Sequence, residues 1–287
     1  MIGIYLSAHP LDDYEFEVRE LCTVTAEELK HFRDWEKPDQ RAAAITQFAQ
    51  GGSDNEGEEQ EPEVETIVTN DADGELVTEE KEVPAEGTPR LARLSPEEWI
   101  HAHEKRQLTV GGIITAAEER TSQKGTLYGR YTIEDYTGSY EFLVFGEDYK
   151  RFAPLLKKDV YAYVTVQVQP RGWGGKYYKE QPFADTEYEC RVKDVQLLQD
   201  AQKNRVQSLT LTMTVDKITE AWAEEFREKC EAAKDDDGLV IRFRIEDSLH
   251  HNGVTLTART VHVRVTKPFY HWLRTKSNDR ELVYNFK

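Results

Sequence analysis

The feature that most constrains this fold is a change of hydrophobic period at Leu108. From Leu108 to Leu198, short segments alternate apolar with polar residues and are separated by turns. Such alternation is typical of β-strands with one buried face. It predicts strands over 108–120, 127–136, 139–146, 160–169 and 188–198. The glycine pair Gly111-Gly112 inside the first of them predicts a bend or a bulge.

One helical stretch interrupts the strands. The segment 147–156, EDYKRFAPLL, predicts a short helix between the third and fourth strands. Five strands, a bent first strand and a helix at that place are typical of a five-stranded OB-fold barrel, whereas all-β sandwiches seldom place a helix there. We therefore expect a mainly β domain of the OB-fold type.

The C-terminal part has a mixed pattern. Strands are predicted over 206–215, 239–246, 254–265 and 281–286, and helices over 216–234 and 267–275, which together predict a small α+β domain. The run Asp235-Asp236-Asp237-Gly238 is expected to be a solvated turn. Among Phe269, Tyr270, Trp272 and Leu273, near the chain end, we expect at least two core residues, with the rest available as interface anchors.

Helices are predicted before the alternating region. His9-Pro10 is expected to end one helix, because a residue before proline disfavours the α conformation, and Thr25 to Phe48 has a helical pattern. Ser95, followed by Pro96 and Glu98, predicts the start of a further short helix.

An acidic segment separates these helices. Between Gln50 and Arg90 there are fourteen acidic residues against Lys81 and Arg90, so this segment carries −12 of the net charge of −17. With so few apolar residues it is expected to be a disordered linker. The chain elsewhere is nearly balanced in charge, so nucleic acid stays possible as a partner.

The predicted organisation has five parts. They are a helical junction over 1–49, a disordered acidic linker over 50–92, a short helix over 93–107, an OB-fold nucleic-acid-binding domain over 108–199 and a C-terminal α+β domain over 205–287. No run approaches 18 apolar residues and there is no signal peptide, so we expect no membrane association. The three scattered cysteines suggest a reducing cytoplasm.

Three motifs carry a family resemblance. The segments GIYLSAHPLDDYEFEV, GRYTIEDYTGSYEFLVFGEDYKRF and VQSLTLTMTV resemble the OB and C-terminal regions of the alpha subunits of bacterial DNA polymerase III, above all the forms from Bacteroidetes. Ala8 stands where that family usually has glycine. The resemblance covers nearly the whole chain apart from the acidic segment.

The resemblance implies a non-catalytic C-terminal part of a replicative DNA-directed DNA polymerase. It implies that the OB domain binds single-stranded template DNA and that the C-terminal domain binds the tau subunit of the clamp loader. Catalytic residues, their magnesium and contacts with the sliding clamp would belong to upstream parts of the parent. The alternative is a free-standing OB-fold single-stranded-DNA-binding protein.

The candidate DNA-binding residues follow from alternation and from the loops. Tyr128, Arg130 and Thr132 are expected to point outward, as are Glu141, Leu143 and Phe145, while Leu127, Tyr131, Ile133, Phe142 and Val144 are expected in the core. An OB groove combines stacking aromatics with cations. The predicted stacking residues are Tyr128, Trp173 and Tyr178, and the predicted phosphate contacts are Arg120, Lys124, Arg130, Arg171 and Lys176. Covering of the barrel ends is the alternative role for Trp173 and the tyrosines.

Other motifs do not support chemistry of their own. RGWGGK lacks the spacing of a phosphate-binding loop. His101 and His103 do not share a helix face, and His250-His251 has no partner spaced to complete a metal site. We therefore expect no cofactor, no metal and no catalytic site in this chain.

Overall fold

The computed structural model describes residues 9–51, 64–70, 76–82, 94–247 and 252–287. The helices are α1 (Glu15–Leu21), α2 (Ala26–Trp35), α3 (Pro38–Gly51), α4 (Pro96–His103), α5 (Gly146–Phe152), α6 (Leu198–Arg205), α7 (Glu220–Ala232) and α8 (Lys267–Asn278). The strands are β1 (Val64–Asn70), β2 (Leu76–Glu82), β3 (Gln107–Thr121), β4 (Leu127–Glu134), β5 (Ser139–Phe145), β6 (Tyr161–Pro170), β7 (Tyr188–Leu197), β8 (Ser208–Thr214), β9 (Lys234–Asp247), β10 (Asn252–Val263) and β11 (Val283–Phe286).

The chain divides into two compact units. The first unit comprises the described residues of Met1–Lys30, Lys105–Val168 and Cys190–Lys287, and the second those of His31–Glu104 and Gln169–Glu189. Most of the predicted OB domain and the predicted C-terminal domain fall in the first unit, and the predicted domain bounds stay a prediction. Within the described parts of the chain, no helix is long and apolar enough to span a bilayer.

The five predicted strands form one antiparallel sheet in the order β5-β4-β3-β6-β7, with α5 between the third and fourth strands. This is the connectivity predicted for an OB-fold, and the described residues form it as an open sheet. The register of β3 against β4 shifts between Ile114 and Ala116. The predicted bulge therefore lies just beyond the glycine pair. Gly112 allows a close approach of two strands instead, since a Cβ there would clash with the backbone oxygen of Glu134.

Alternation along β4 and β5 places the inward residues as predicted. Tyr131, Ile133, Phe142 and Val144 are all buried. Leu127 corrects the prediction, because 46% of it is exposed. It is the first residue of β4 and pairs with Thr121, the last residue of β3, so it lies at the end of the sheet.

The turn between β4 and β5 is fixed to the N-terminus of α2. Asp135 is buried, and its Oδ2 accepts a hydrogen bond from the backbone N–H of Ala26 at 2.7 Å. Its Oδ1 accepts three more, from the backbone and hydroxyl of Thr137 and from the N–H of Gly138. One carboxylate thus shapes the turn and positions the helix.

The C-terminal sheet has the order β10-β9-β8-β11, with β8 and β9 parallel and the other pairs antiparallel. One face packs against α7 and α8 in a single apolar cluster that includes Leu209, Leu211, Ile241, Trp222 and Leu273. Phe269, Tyr270, Trp272 and Leu273 are all buried in it. All four are therefore core residues. The prediction that some of them remain available as interface anchors is wrong.

The acidic run after α7 differs from its prediction. Asp235 to Gly238 lies inside β9 rather than in a turn. The register with β10 shifts at this segment, since Lys234 pairs with Val263 and Val240 pairs with His262. The backbone N–H of Asp237 bonds the side chain of Asp235 at 3.0 Å, and a Cβ on Gly238 would meet the Val263 oxygen at 2.5 Å. A bulge of the strand therefore contains the side-chain-to-backbone hydrogen bond that is typical of an aspartate turn.

Two further features depart from the sequence predictions. β1 and β2 pair as a two-stranded antiparallel sheet within the segment expected to be disordered, and residues 52–63, 71–75, 83–93 and 248–251 lie outside the described ranges. The helix α6 was not predicted. The start of α4 agrees with prediction, since Ser95 and Glu98 form a reciprocal capping box there.

The second unit is organised around a buried arginine. Arg41 is 1% exposed, and its guanidinium donates to the backbone oxygens of Trp35 at 3.0 Å, Phe183 at 2.5 Å and Thr186 at 2.8 Å. It also lies 4.6 Å from the centre of the Phe183 ring. A planar group with five donors suits this bridging role.

Candidate nucleic-acid interface

The candidate interface of the first unit is the solvent-facing side of β4 and β5, together with the end of β3. We call it the outer face. The register pairs Arg120 with Tyr128, Tyr128 with Phe145, and Arg130 with Leu143, so these side chains project to the same side. Alternation predicted this side correctly for Tyr128, Arg130, Leu143 and Phe145.

An aromatic pair is the main feature of the outer face. The rings of Tyr128 and Phe145 stack with centroids 5.0 Å apart and planes inclined by 24°. Phe145 is 52% exposed and Leu143 is 39% exposed. Exposed aromatic rings on strands offer flat apolar surface to a nucleobase. Phe145 and Leu143 were not among the predicted site residues, although alternation had placed them on this side.

The arginines of the outer face are paired with carboxylates. Arg120 Nη2 lies 2.7 Å from Glu118 Oε2, and Arg130 forms an ion pair with Glu141. Hydrogen bonding to Arg120 lowers the pKa of Glu118, and hydrogen bonding to Glu141 raises the pKa of Arg130. The face therefore carries little net charge, and the phosphate-binding roles of both arginines stay predictions.

Lys124 is the remaining predicted cation of the first unit. It lies in the exposed turn between β3 and β4, where Gly125 adopts a φ of 78°. The turn is closed by a hydrogen bond from the N–H of Gly125 to the oxygen of Ser122 at 2.9 Å. Lys124 makes no ion pair with any residue that the structure describes, so its charge is available to an anion.

The other four predicted residues lie in the second unit, in the loop between β6 and β7. Arg171 Nη1 forms an ion pair with Glu187 at 2.8 Å, which raises the pKa of Arg171. Lys176 Nζ lies 5.7 Å from the centre of the Tyr177 ring. Arg171, Lys176 and Tyr178 line a groove of ≈ 630 Å³, whereas Trp173 lies outside its lining and is 39% exposed.

The histidines of α4 make packing contacts and hydrogen bonds within the fold. His103 Nδ1 lies 2.7 Å from the oxygen of Trp99 and its ring stacks on that indole, while His101 stacks on Phe183. The described residues contain no group of three or more His, Cys, Asp or Glu side chains placed to hold a metal ion. Cys22, Cys190 and Cys230 are free thiols.

The sheet order and the position of α5 define this chain as a protein of the OB-fold class. No family model matches the sequence. Two curated relatives match parts of it. A stretch of 119 residues is 24% identical to DNA polymerase III subunit alpha of Haemophilus influenzae, covering 42% of this chain and 9% of the relative. A stretch of 63 residues is 36% identical to the Vibrio cholerae protein of the same name, covering 22% and 5%.

This chain therefore spans less than a tenth of the length of those relatives. Solved structures with some similarity include the yeast mitochondrial single-stranded DNA binding protein Rim1, with a TM-score of 0.24, 23% identity and coverage of 33% of this chain and 97% of that one. A replication protein A heterotrimer bound to single-stranded DNA has a TM-score of 0.23 at 13% identity, covering 52% of this chain and 34% of its own.

Proposed function

We propose that the outer face of the first unit binds single-stranded DNA, and that the chain acts in DNA replication as a non-catalytic part of a DNA polymerase III alpha subunit. The observation that carries the proposal is the stacked pair of half-buried Tyr128 and exposed Phe145, on the second and third strands of the sheet. In OB-folds generally, this face and the adjoining loops bind oligonucleotides.

On the outer face, stacking of bases on aromatic rings should contribute more to DNA affinity than attraction between charges. Arg120 and Arg130 are neutralised by Glu118 and Glu141, so Lys124 is the main source of phosphate attraction in the first unit. Each base stacked on an aromatic ring contributes about 1–3 kcal/mol, regardless of its identity. Binding is then sequence-tolerant and only mildly dependent on salt.

The local similarity to DNA polymerase III subunit alpha supports the role in replication. Nucleotide addition, and the magnesium that it needs, are assigned to other parts of the parent. The proposed location is the reducing cytoplasm that the three scattered cysteines predict.

Binding to the clamp-loader tau subunit is the second part of the proposal. Because the aromatic residues of α8 are buried, the interface has to use other side chains. Val254 and Leu256 suit this role, since they are 50% and 49% exposed on the edge strand β10. Substituting both with aspartate is expected to reduce capture of the chain by purified tau.

The test of DNA binding measures fluorescence anisotropy of a labelled single-stranded oligonucleotide with the whole chain. Substituting Tyr128 or Phe145 with alanine is expected to weaken binding by about 1–3 kcal/mol, or about 5- to 150-fold, because one stack is lost. Phe48→Ala is the matched control, since Phe48 is 43% exposed on α3, outside the outer face.

The salt dependence gives a second readout. Tyr128→Ala and Phe145→Ala should leave the slope of log affinity against log salt unchanged, whereas Lys124→Gln should reduce it by about 0.7, the value for one phosphate contact on a single strand. If both aromatic variants bind as tightly as the Phe48→Ala control, the outer face is not the DNA-binding surface.

A further inference from the structure

The C-terminal sheet has a second face, opposite α7 and α8, that is rich in cations. Along β9, Ile241, Phe243 and Ile245 alternate with Arg242, Arg244 and Glu246, and Ile241 and Phe243 pack in the apolar cluster on the helix side of the sheet. The register places Thr210 and Thr257 beside Arg242, and Thr212 and Thr255 beside Arg244. Arg259, two residues beyond Thr257, and Lys287, which pairs with Ser208, extend the same side. We call it the arginine face.

The charge of the arginine face is opposite to that of the chain. It presents Arg242, Arg244, Arg259 and Lys287, while the net charge of the whole sequence is −17. Arg244 pairs with Glu246 at 2.8 Å. Arg242, Arg259 and Lys287 are exposed, and none of them forms an ion pair with a described residue.

Acidic groups lie toward both ends of this face, with Glu246 at one end and Asp235 to Asp237 in the β9 bulge beyond the other. Glu246 pairs in register with Thr214, whose hydroxyl bonds Asp216 and lowers the pKa of that carboxyl. Arg242, Arg259 and Lys287 lie toward the opposite end of the strands, where the register joins Thr210 to Arg242 and Ser208 to Lys287. Among the described residues, no carboxylate forms an ion pair with Arg242, Arg259 or Lys287, and Asp237 pairs with Lys203 instead.

Hydroxyl groups surround these cations. Thr210, Thr212, Thr255 and Thr257 lie next to the arginines in the register and supply short, neutral donors. Arginine, lysine and threonine are the side chains that commonly contact phosphate and sugar oxygens, which fix a protein on nucleic acid without reading its sequence. The described residues of this face include no aromatic ring on which a base could stack.

We propose that the arginine face binds the sugar–phosphate backbone of DNA, as a site separate from the outer face. The inference takes DNA as the ligand from the proposed function. An acidic peptide fits less well, since specific peptide recognition uses side-chain pockets or an added strand, and this face offers the side chains of paired strands with Val283 as its exposed apolar residue.

The test compares binding of a single-stranded oligonucleotide and of the matching duplex over a range of salt concentrations. The double variant Arg242→Gln/Arg259→Gln is expected to reduce the salt slope by about 1.4 for the single strand and about 1.8 for the duplex, that is 0.7 or 0.9 for each lost contact. Arg227→Gln/Lys229→Gln on α7 removes the same charge from the opposite side and should leave both slopes unchanged.

The outcomes separate this inference from the proposed function. Tyr128→Ala/Phe145→Ala should lose the preference for single strands and keep the salt slope. If the arginine variant behaves as the α7 control while the aromatic variant loses affinity, the arginine face does not bind DNA and the proposed function stands. If the aromatic variant binds as the parent does and the arginine variant lowers the salt slope, the arginine face binds DNA and the proposed role of the outer face is wrong. Binding of polyglutamate that requires Arg242 and Arg259, without any change in DNA binding, would overturn the inference in favour of an acidic protein partner.

Discussion

At the scale of single residues, burial decides the behaviour of several charged groups. Arg41 is satisfied by three backbone oxygens in the second unit. Glu17 on α1 is only 5% exposed, and Gln202 Nε2 lies 3.4 Å from its Oε1 while also bonding the backbone of Val265. Burial raises the pKa of Glu17 to about 7, with a smaller opposing effect from Arg264.

This pKa predicts a pH dependence of stability. In the unfolded chain Glu17 has an ordinary pKa of 4.5, so between about pH 4.5 and 7 the folded state holds the proton more tightly. The free energy of unfolding therefore falls as pH rises through that range, by about 3 kcal/mol from this group. Glu36 has a similarly raised pKa and adds to the fall.

The variant Glu17→Gln isolates the contribution. It should match the parent near pH 4.5 and exceed it in stability at pH 8, because the amide never has to ionise. Urea titrations at a series of pH values measure the difference. Equal stability of the two proteins at pH 8 would show that Glu17 ionises without cost.

At the scale of elements, the strands of the first sheet were largely predictable and their ends were not. Alternation identified β3 to β7 and the buried side of β4 and β5, because one-sided burial imposes period two on the sequence. Leu127 was misplaced because alternation contains no information on where neighbouring strands end. The Asp-rich part of β9 was misplaced because a bulge uses the same local bonds as a turn.

The candidate site was predictable only in part, for a related reason. Alternation located the outer face, but the pairing of Arg120 with Glu118 and of Arg130 with Glu141 depends on side-chain geometry and on strand register. The stacking of Phe145 on Tyr128 depends on the same register. Residues chosen for their type alone therefore included paired arginines and omitted Phe145.

The turn between β4 and β5 gives a prediction at this scale. Asp135→Ala removes the acceptor of four hydrogen bonds and leaves the buried N–H of Ala26 without a partner. We expect a loss of about 3 kcal/mol in the free energy of unfolding, since an orphaned buried donor alone costs about 1–3 kcal/mol. Urea denaturation measures it.

Asp148→Ala is the matched control. Asp148 is a partly exposed aspartate on α5 that pairs with Arg191 at 3.0 Å, and removal of a surface pair should change stability by less than about 1 kcal/mol. Asp135→Asn keeps one acceptor oxygen, so its loss in the free energy of unfolding should lie between those of Asp135→Ala and Asp148→Ala. Equal effects of Asp135→Ala and Asp148→Ala would contradict the anchoring role.

At the scale of the whole molecule, the charge distribution and the local sequence similarity both bear on the proposed binding of DNA. The acidic segment accounts for −12 of the net −17, so the remaining chain can present cationic surfaces such as the arginine face. The segments similar to DNA polymerase III subunit alpha cover up to 42% of the chain. The eight predicted DNA-binding residues are divided equally between the two units, so each group has to be tested by itself.

The central claim is that the outer face contacts the bases of single-stranded DNA, and photo-crosslinking tests it most directly. The whole chain is irradiated with an oligonucleotide containing iodouridine, and crosslinked peptides are identified by mass spectrometry. We predict crosslinks at Tyr128 and Phe145, whose rings stack on each other and form the proposed contact surface for bases. Crosslinks confined to other segments, such as the loop over 171–187, with none on β4 or β5, would contradict the account.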